Sequence, residues 1–420
     1  MTHVTDISTL LATATTDLEW QGEFYRDLHS HPELSMQEQR TAAQIKTKLA
    51  DFNCDVVDNI GGYGIIAIFR NGEGPTAVMR ADFDALPVEE ATGVEFASVA
   101  EGITPQGIRT KLMHACGHDM HTTALLGACA ILDDHRDHWR GTFVALFQPS
   151  EENGAGALAM VNDGLAHLMP QPDVVFGQHI GPGAAGTVMS MSGPALAAAD
   201  TIRIRIFGRS SHGSMPHLSI DPTFVAAMVV VRLQGIVGRE VPPSEFAVVT
   251  VGTLSSGNSN NTIPATADLV LNCRTYSDEV KHHLYQAIER VVRAECAASG
   301  CLQDPIFEYT DHAPLTDNSP EVFAKVRPQF DAVFGADSLD GSPWTASEDF
   351  SQVPRAFGAP YLYWMVGATP RPQWEAAVAA NRVVEDIPSN HMSTFLPDFT
   401  PTVTAATRAA CTAVLSYLAH

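Results

Sequence analysis

Several things are scarce in this 420-residue chain, and each scarcity excludes a class of function. Basic residues are few: 25 Lys and Arg stand against 48 Asp and Glu, a formal net charge of −23. Nucleic acid and anionic membrane surfaces both need basic patches, so neither is expected as a partner. No apolar run reaches the about 18 residues of a membrane span. The opening stretch, "MTHVTDISTLLATATTDLEW", has no basic n-region and carries acids where an apolar h-region would lie. It is not read as a signal peptide. The seven cysteines (54, 116, 129, 273, 296, 301 and 411) are odd in number and show no framework spacing. They read as reduced thiols, and the expected compartment is the cytoplasm. Repeats and low-complexity tracts are missing. So are H-E-x-x-H, G-x-S-x-G and any Gly-Lys pair for a phosphate loop.

What is present is globular. Hydrophobic residues make up 45% and charged residues 17% of a chain long enough for more than one domain. The first 50 or so residues read as two helices broken at "HSHPELS". "YGIIAIFRN", "GPTAVMRADFDALP", "GTFVALFQ", "DVVFGQHI" and "PYLYWMVG" read as strands. Residues 119–132 read as an apolar helix, and Gly164 reads as a helix C-cap. Alternating strands and helices predict an α/β sheet with sites at the carboxyl ends of its strands. After Gly193 the pattern changes. "DTIRIRIFG" alternates polar and apolar residues, as a strand with one wet face does. Helices near 222–239 and 278–298 and strands at "FAVVTVGTL", "TADLVLNCRTY" and "PIFEYT" complete a β-α-β-β-α-β order. The expected fold class is therefore α/β, a catalytic domain with an inserted smaller α+β module of ferredoxin-like order. The expected boundaries are 1–195, 196–310 and 311–420.

The densest chemistry lies in "MHACGHDMHTTALLGA". Cys116 and His118 are two apart, and in an extended loop such residues point to the same side. Gly117 between them permits a tight turn. Asp119 is expected to orient a ligand histidine. In "FQPSEENGAG" a strand stops at Pro149, and Glu151 and Glu152 stand side by side. They read either as an acidic cap for the following helix or as one metal ligand beside one base. His179 ends "DVVFGQHI", Asp82 and Asp84 end "RADFDALP", and His391 lies in the turn "SNHMSTF". Taken together, Cys116, His118, one of Glu151 and Glu152, His179 and His391 are a donor set for two divalent ions sharing a water. Zinc, cobalt and nickel suit the thiolate and imidazoles, and the carboxylate keeps manganese open. "GPGAAG" (181–186) matches G-x-G-x-x-G, but no helix follows it to cradle a phosphate. In the inserted module, His212 sits among small residues in "GRSSHGSMPH". Arg274 in "LNCRTY" reads as a surface ion pair or as a clamp for a carboxylate.

With these residues in place, the sequence resembles the M20 metallopeptidase/aminoacylase family. More narrowly, it resembles the amidohydrolase subgroup of hippurate hydrolases, N-acyl-amino-acid hydrolases and auxin-conjugate hydrolases. The matching stretches are "LHSHPELSMQE", "MRADFDALPVEE", "MHACGHDMHTTALLGA", "FQPSEENGAGA", "HGSMPH", "NTIP", "SEDF" and "NHMSTF", spread from residue 28 to 395. The resemblance implies that Cys116, His118, Glu152, His179 and His391 bind metal and that Glu151 is the general base. Asp84 matches an acid held near the metals. His212 matches an oxyanion-stabilising histidine, which in dimeric relatives acts across the subunit interface. Asn261 and Arg274 match residues that recognise the substrate's amide and carboxylate. Asp82 stands where relatives outside the subgroup have a metal-binding histidine, and its role stays open. The inserted module is implied to be a lid and dimerisation domain, giving a homodimer or higher homo-oligomer. The implied reaction is hydrolysis of an N-acyl amino acid to a carboxylic acid and a free amino acid. A dipeptidase or carboxypeptidase on the same scaffold and a catalytically silent metal-binding protein are the alternatives. Asn153 in place of glycine, the missing proline after His391 and the "GPGAAG" loop depart from the subgroup. They bear on pocket shape rather than on the donors.

Overall fold

The computed structural model describes residues 6–14 and 17–419, with only the backbone of residues 311 and 312. Residues 1–5, where a leader was looked for, lie outside the described residues. The chain divides into two compact units. The first comprises Met1–Ala195, Asp317–Ser342 and Asp349–His420; the second comprises Leu196–Thr316 and Pro343–Glu348. The second unit thus runs past residue 310 and regains a short segment near 345. There the Ala197 N–H donates to the carbonyls of Trp344 and Ala346.

The first unit is built on an eight-stranded mixed sheet. Its order is Asp55–Ile60, Gly64–Asn71, Gly141–Gln148, Thr76–Asp82, Val174–Ala184, Tyr361–Thr369, Val188–Ser190 and Ser338–Asp340. The four central strands, from Gly141–Gln148 to Tyr361–Thr369, are mutually parallel. Thr76–Asp82 is buried along its whole length. This is why its sequence reads as a mostly apolar run, broken by Arg80, rather than an alternating one. Helices His118–Asp134 and Phe399–Leu418 pack as its apolar cover, contributing Leu125, Leu126, Ala406 and Ala410 to the core.

Three local expectations change. The N-terminal helical stretch is three helices, Ile7–Thr13, Leu18–Ser30 and Gln39–Leu49. The Asp17 carboxylate caps the second by accepting the Glu19 N–H. The strand carrying His179 continues to Ala184, so His179 lies within it and "GPGAAG" is strand rather than a phosphate turn. Gly164, at φ +90°, directly follows the C-cap Asp163.

The second unit is a four-stranded antiparallel sheet, ordered Ala247–Ser256, Thr266–Thr275, Ala198–Phe207, Ile306–Ala313. Ile202, Ile204 and Ile206 turn inward to Val225, Val229 and Leu233 of helix Pro222–Glu240 and to Leu284 and Ile288 of helix Asp278–Ala298. Arg205 on the other face pairs with Asp268 at 2.7 Å. One apolar face and one wet face are what the alternating strand demanded.

Candidate metal centre

The Cys-x-His loop is not extended. Gly117 adopts a left-handed φ of +85° and caps helix His118–Asp134, so His118 is its first residue. That backbone is cheap for glycine alone. It folds Cys116 back beside the helix start, and the two side chains converge by a turn rather than by strand alternation. Cys116 Sγ lies 3.5 Å from His179 Nε2. The donor atoms of Cys116, His118 and His179 all fall within 4.8 Å of one another, and so do those of Cys116, Glu152 and His391. Cys116 is common to both triads.

Hydrogen bonds settle which ring nitrogens face the cluster. His118 Nδ1 donates to the Asp84 carbonyl at 3.0 Å and approaches its Oδ1 at 3.2 Å. His179 Nδ1 donates to the Ile180 carbonyl at 2.9 Å. With the proton fixed on Nδ1, each neutral ring turns its Nε2 lone pair inward. His118 Nε2 and Glu152 Oε1 are buried and have no hydrogen-bond partner. Buried polar atoms of native proteins are rarely left so. Two orphaned ligand atoms facing a thiol and imidazoles fit a divalent cation.

Glu152 bridges the cluster. Its Oε1 lies 3.8 Å from His118 Nε2 and its Oε2 lies 3.4 Å from His391 Nε2. Glu151 Oε2 approaches His118 Nε2 at 3.9 Å. The two carboxylates therefore face the same cluster rather than opposite ways. Burial and the nearby Asp84 push Glu152 up to about 8, although His118 opposes this. Burial also disfavours charge on His118, but Asp82, Asp84 and Glu152 outweigh it and raise the ring to about 10. Burial, with Glu152 and Glu151 nearby, raises the Cys116 thiol well above its usual range. A cation among these groups would oppose the upward shifts of Glu152 and Cys116.

Several residues around the cluster take supporting tasks that the sequence did not assign to them. Asp119 does not orient a ligand; its carboxylate pairs with His29 Nδ1 at 2.7 Å, while Asp84 holds His118. Successive helical residues rotate by about 100°, so Asp119 cannot share the direction of His118. Asp82 points to His121 Nδ1 at 2.5 Å and to Arg80 at 2.6 Å. The Ile180 N–H donates to His121 Nε2 at 2.9 Å, which ties off both His121 nitrogens. Burial raises Asp82, but Arg80, His118 and His121 hold it well below the usual carboxylate range. Asn390 ties the turn that carries His391 to the cluster: its Nδ2 donates to the carbonyls of Cys116 and Ile180 at 3.1 and 2.9 Å. His391 itself has φ +70°, and its N–H donates to the Ala115 carbonyl at 2.8 Å.

His29 is fully buried between Asp119 and Glu90. Burial disfavours its charge, yet the bonds to Asp119 and Glu90 raise it to about 9 from 6.5. A raised cation stabilises the fold fully below pH 6.5 and loses that contribution as pH climbs through about 9, a swing of about 3 kcal/mol. Urea unfolding should therefore show stability falling from pH 7 to pH 10, and His29→Asn should flatten that slope. An identical slope in the variant would remove His29 as its source.

The remaining candidates lie in the second unit. His212 and Asn261 share a two-stranded ribbon, Ser211–His212 with Thr262–Ile263, and the Gly213 N–H donates to the Asn261 carbonyl at 2.6 Å. The Ser214 N–H donates to His212 Nδ1 at 3.1 Å, which leaves the proton of the neutral ring on Nε2. Arg274 stands near the far end of strand Thr266–Thr275. Its Nε donates to Asn272 Oδ1 at 3.1 Å and Nη1 to the Thr345 carbonyl at 2.7 Å. The ribbon and Arg274 are separate places on this unit.

Buried donors converging beside paired carboxylates on a mixed α/β sheet define the class, a metal-dependent hydrolase. Comparison with known proteins agrees. The description Peptidase family M20/M25/M40 matches residues 78–377, and the chain belongs to this family. It is 38% identical over 330 residues to the N-acetyl-L-cysteine deacetylase of Bacillus subtilis, covering 78% of this chain and 75% of that protein. It is 33% identical over 340 residues to the hippurate hydrolase of Campylobacter jejuni, covering 79% and 85%. Among solved structures, a dinuclear metal binding peptidase of the M20 family from Bacillus subtilis superposes with a TM-score of 0.76 at 27% identity, covering 94% of this chain and 97% of that one.

Proposed function

We propose that this protein is a metal-dependent amidohydrolase that cleaves N-acyl amino acids to a carboxylic acid and a free amino acid. The observation that carries the reading is the pair of donor triads sharing Cys116, with Glu151 beside them. Cys116, His118, Glu152, His179 and His391 would hold two divalent ions. Zinc, cobalt or nickel suits the thiolate and imidazoles, and manganese suits the carboxylate. When bound, the ions supply Lewis-acid charge that polarises the amide carbonyl and lowers the pKa of a water toward neutrality.

The chain's own residues do the rest. Glu151 accepts the water's proton at its carboxylate and returns it to the departing amine nitrogen. Asp84 holds His118 by its Nδ1–H and also accepts the Glu152 N–H at 3.0 Å, so one carboxylate aligns two ligands. His212, with its proton on Nε2, is suited to donate to the oxyanion. Asn261 and Arg274 are proposed to recognise the substrate's amide and carboxylate. Arg274 already spends two of its donors within its own unit, so its remaining donor capacity would make that contact.

A homodimer is proposed on the family resemblance. It is supported by the outer face of helix Pro222–Glu240, which exposes Phe224 and Val231, beside the edge strand Ala247–Ser256. A cytoplasmic setting is supported by seven cysteines without a disulfide.

The test is free amino acid released from a panel of N-acyl amino acids and unblocked dipeptides by metal-reconstituted protein, with a chelator control. Chelator-sensitive release from the N-acyl set is expected. Release from dipeptides alone would move the protein to the peptidase reading. No release by protein shown to hold two metals would favour a silent metal-binding protein.

A further inference from the structure

A left-handed turn lies directly before the paired carboxylates. Ser150 has φ +56°, a backbone that serine rarely adopts, and it is fully buried. Its conformation decides where Glu151 and Glu152 point, because a rotation at residue 150 swings every atom that follows. Ser150 is held from several sides. Its N–H and its hydroxyl both donate to Glu38 Oε1, at 2.9 and 3.0 Å. Its Oγ accepts the Met36 N–H at 2.7 Å, and its carbonyl accepts the Gly156 N–H at 3.0 Å.

Glu38 is oddly used for its place. It stands at the N-cap of helix Gln39–Leu49 but makes no side-chain cap. Glu33 caps instead, accepting the N–H groups of Arg40 and Thr41 at 3.0 and 2.7 Å. The Glu38 carboxylate is released to reach a residue 112 positions away. It is fully buried, and its Oε2 has no hydrogen-bond partner. Burial first, and the charge of Asp84 second, push it up to about 7. A buried carboxyl beside another acid is unfavourable by itself. Helix capping does not explain it here, and the turn at Ser150 does.

We propose that Glu38 is a positioning residue that holds Ser150 in its left-handed conformation and thereby aims Glu151 and Glu152 into the cluster. The assignment of those two residues rests on the metal-centre reading above. Glu38 acts through its bonds to Ser150.

Glycine makes this testable, because it adopts φ near +56° without a steric cost. If Glu38 serves to hold that turn, Ser150→Gly should make Glu38 dispensable. Four proteins form the cycle: the wild type, Glu38→Ala, Ser150→Gly and the double variant. Zinc affinity is read by competition with a chromophoric chelator. Glu38→Ala should weaken it by about 10- to 100-fold, the usual effect of losing a group behind a ligand. Ser150→Gly alone should stay within about threefold of wild type, and the double variant within about threefold of Ser150→Gly. Independent, additive losses in the double variant would overturn the proposal, as would an unchanged Glu38→Ala protein. If Glu38→Ala does not fold, Ser150→Ala against Ser150→Gly decides. Ser150→Ala keeps a strained backbone and should bind zinc more weakly, and equal affinities would overturn the proposal. Hydrogen exchange in metal-free protein separates this inference from the metal reading. The Ser150 amide should lose protection in Glu38→Ala, or in Glu38→Gln should the alanine variant not fold, whether or not metal is ever bound, and retained protection would sink the clamp. Failure of wild-type protein to bind zinc would instead sink the metal reading.

Discussion

Glu151→Gln protein should still bind two metal ions and yet lose nearly all turnover. Glu152 spans His118 and His391, so amidation at 151 should leave the proposed donor set whole. What it removes is the group proposed to take and return a proton. Loss of a positioned general base costs about 10²–10⁴ in kcat. Metal stoichiometry by atomic absorption, with kcat and KM on the best N-acyl substrate, checks this. An unchanged KM with kcat down a thousandfold or so is the pattern of an interaction made in the transition state. Near-normal kcat would mean that another group is the base.

Arg80→Leu is expected to be the most destabilising single change in the first unit. Arg80 is buried in the middle of the sheet and donates in three directions. Nε bonds Gln148 Oε1 at 2.9 Å, Nη1 bonds Asp82 at 2.6 Å and Nη2 bonds Asp349 at 3.2 Å. Asp349 in turn accepts from Gln148 and from the Ala157 N–H. Removing the guanidinium strands two buried carboxylates, and breaking such a set typically costs about 3–5 kcal/mol. Urea unfolding followed by far-UV circular dichroism reads the loss. Arg80→Lys should recover little of it, because one ammonium cannot serve three fixed directions. A leucine variant within 1 kcal/mol or so of wild type would show that the network contributes no net stability.

The architecture was legible where it depends on local pattern. The buried strands read as apolar runs, and the second unit's strand at Ala198–Phe207 read as alternating. Cys116, His118, Glu151 and Glu152 stood out as candidate donors because each lies in a short stretch crowded with such groups, whereas His179 and His391 are lone histidines at the end of an apolar run and in a polar turn. What escaped was set by distance along the chain. His29 meets Asp119 90 residues on, and Asn390 reaches back 274 residues to Cys116. No periodicity registers such pairs. Asp119 was given the wrong task because its helical phase beside His118 only becomes fixed once Gly117 turns left-handed. Two supporting residues did leave a trace. Arg80 is a charge inside an otherwise apolar strand, and such a charge must be paired. His121 lies one helical turn beyond His118, on the same face.

The second unit interrupts the first between Ala195 and Asp317, and its own sheet makes that interruption tolerable. Its outgoing strand, Ala198–Phe207, pairs antiparallel with its returning strand, Ile306–Ala313, and Ala199 stands opposite Ala313. Once this unit has folded, the chain comes back within a strand spacing of where it departed. For the host sheet, an excursion of more than a hundred residues then behaves as a short connection. The entropy of closing so long a loop, already only logarithmic in its length, is met inside the guest rather than by the host. Lengthening or exchanging the guest's surface loops should consequently leave the host's folding cooperativity untouched, whereas unzipping that one strand pair would reopen the full gap.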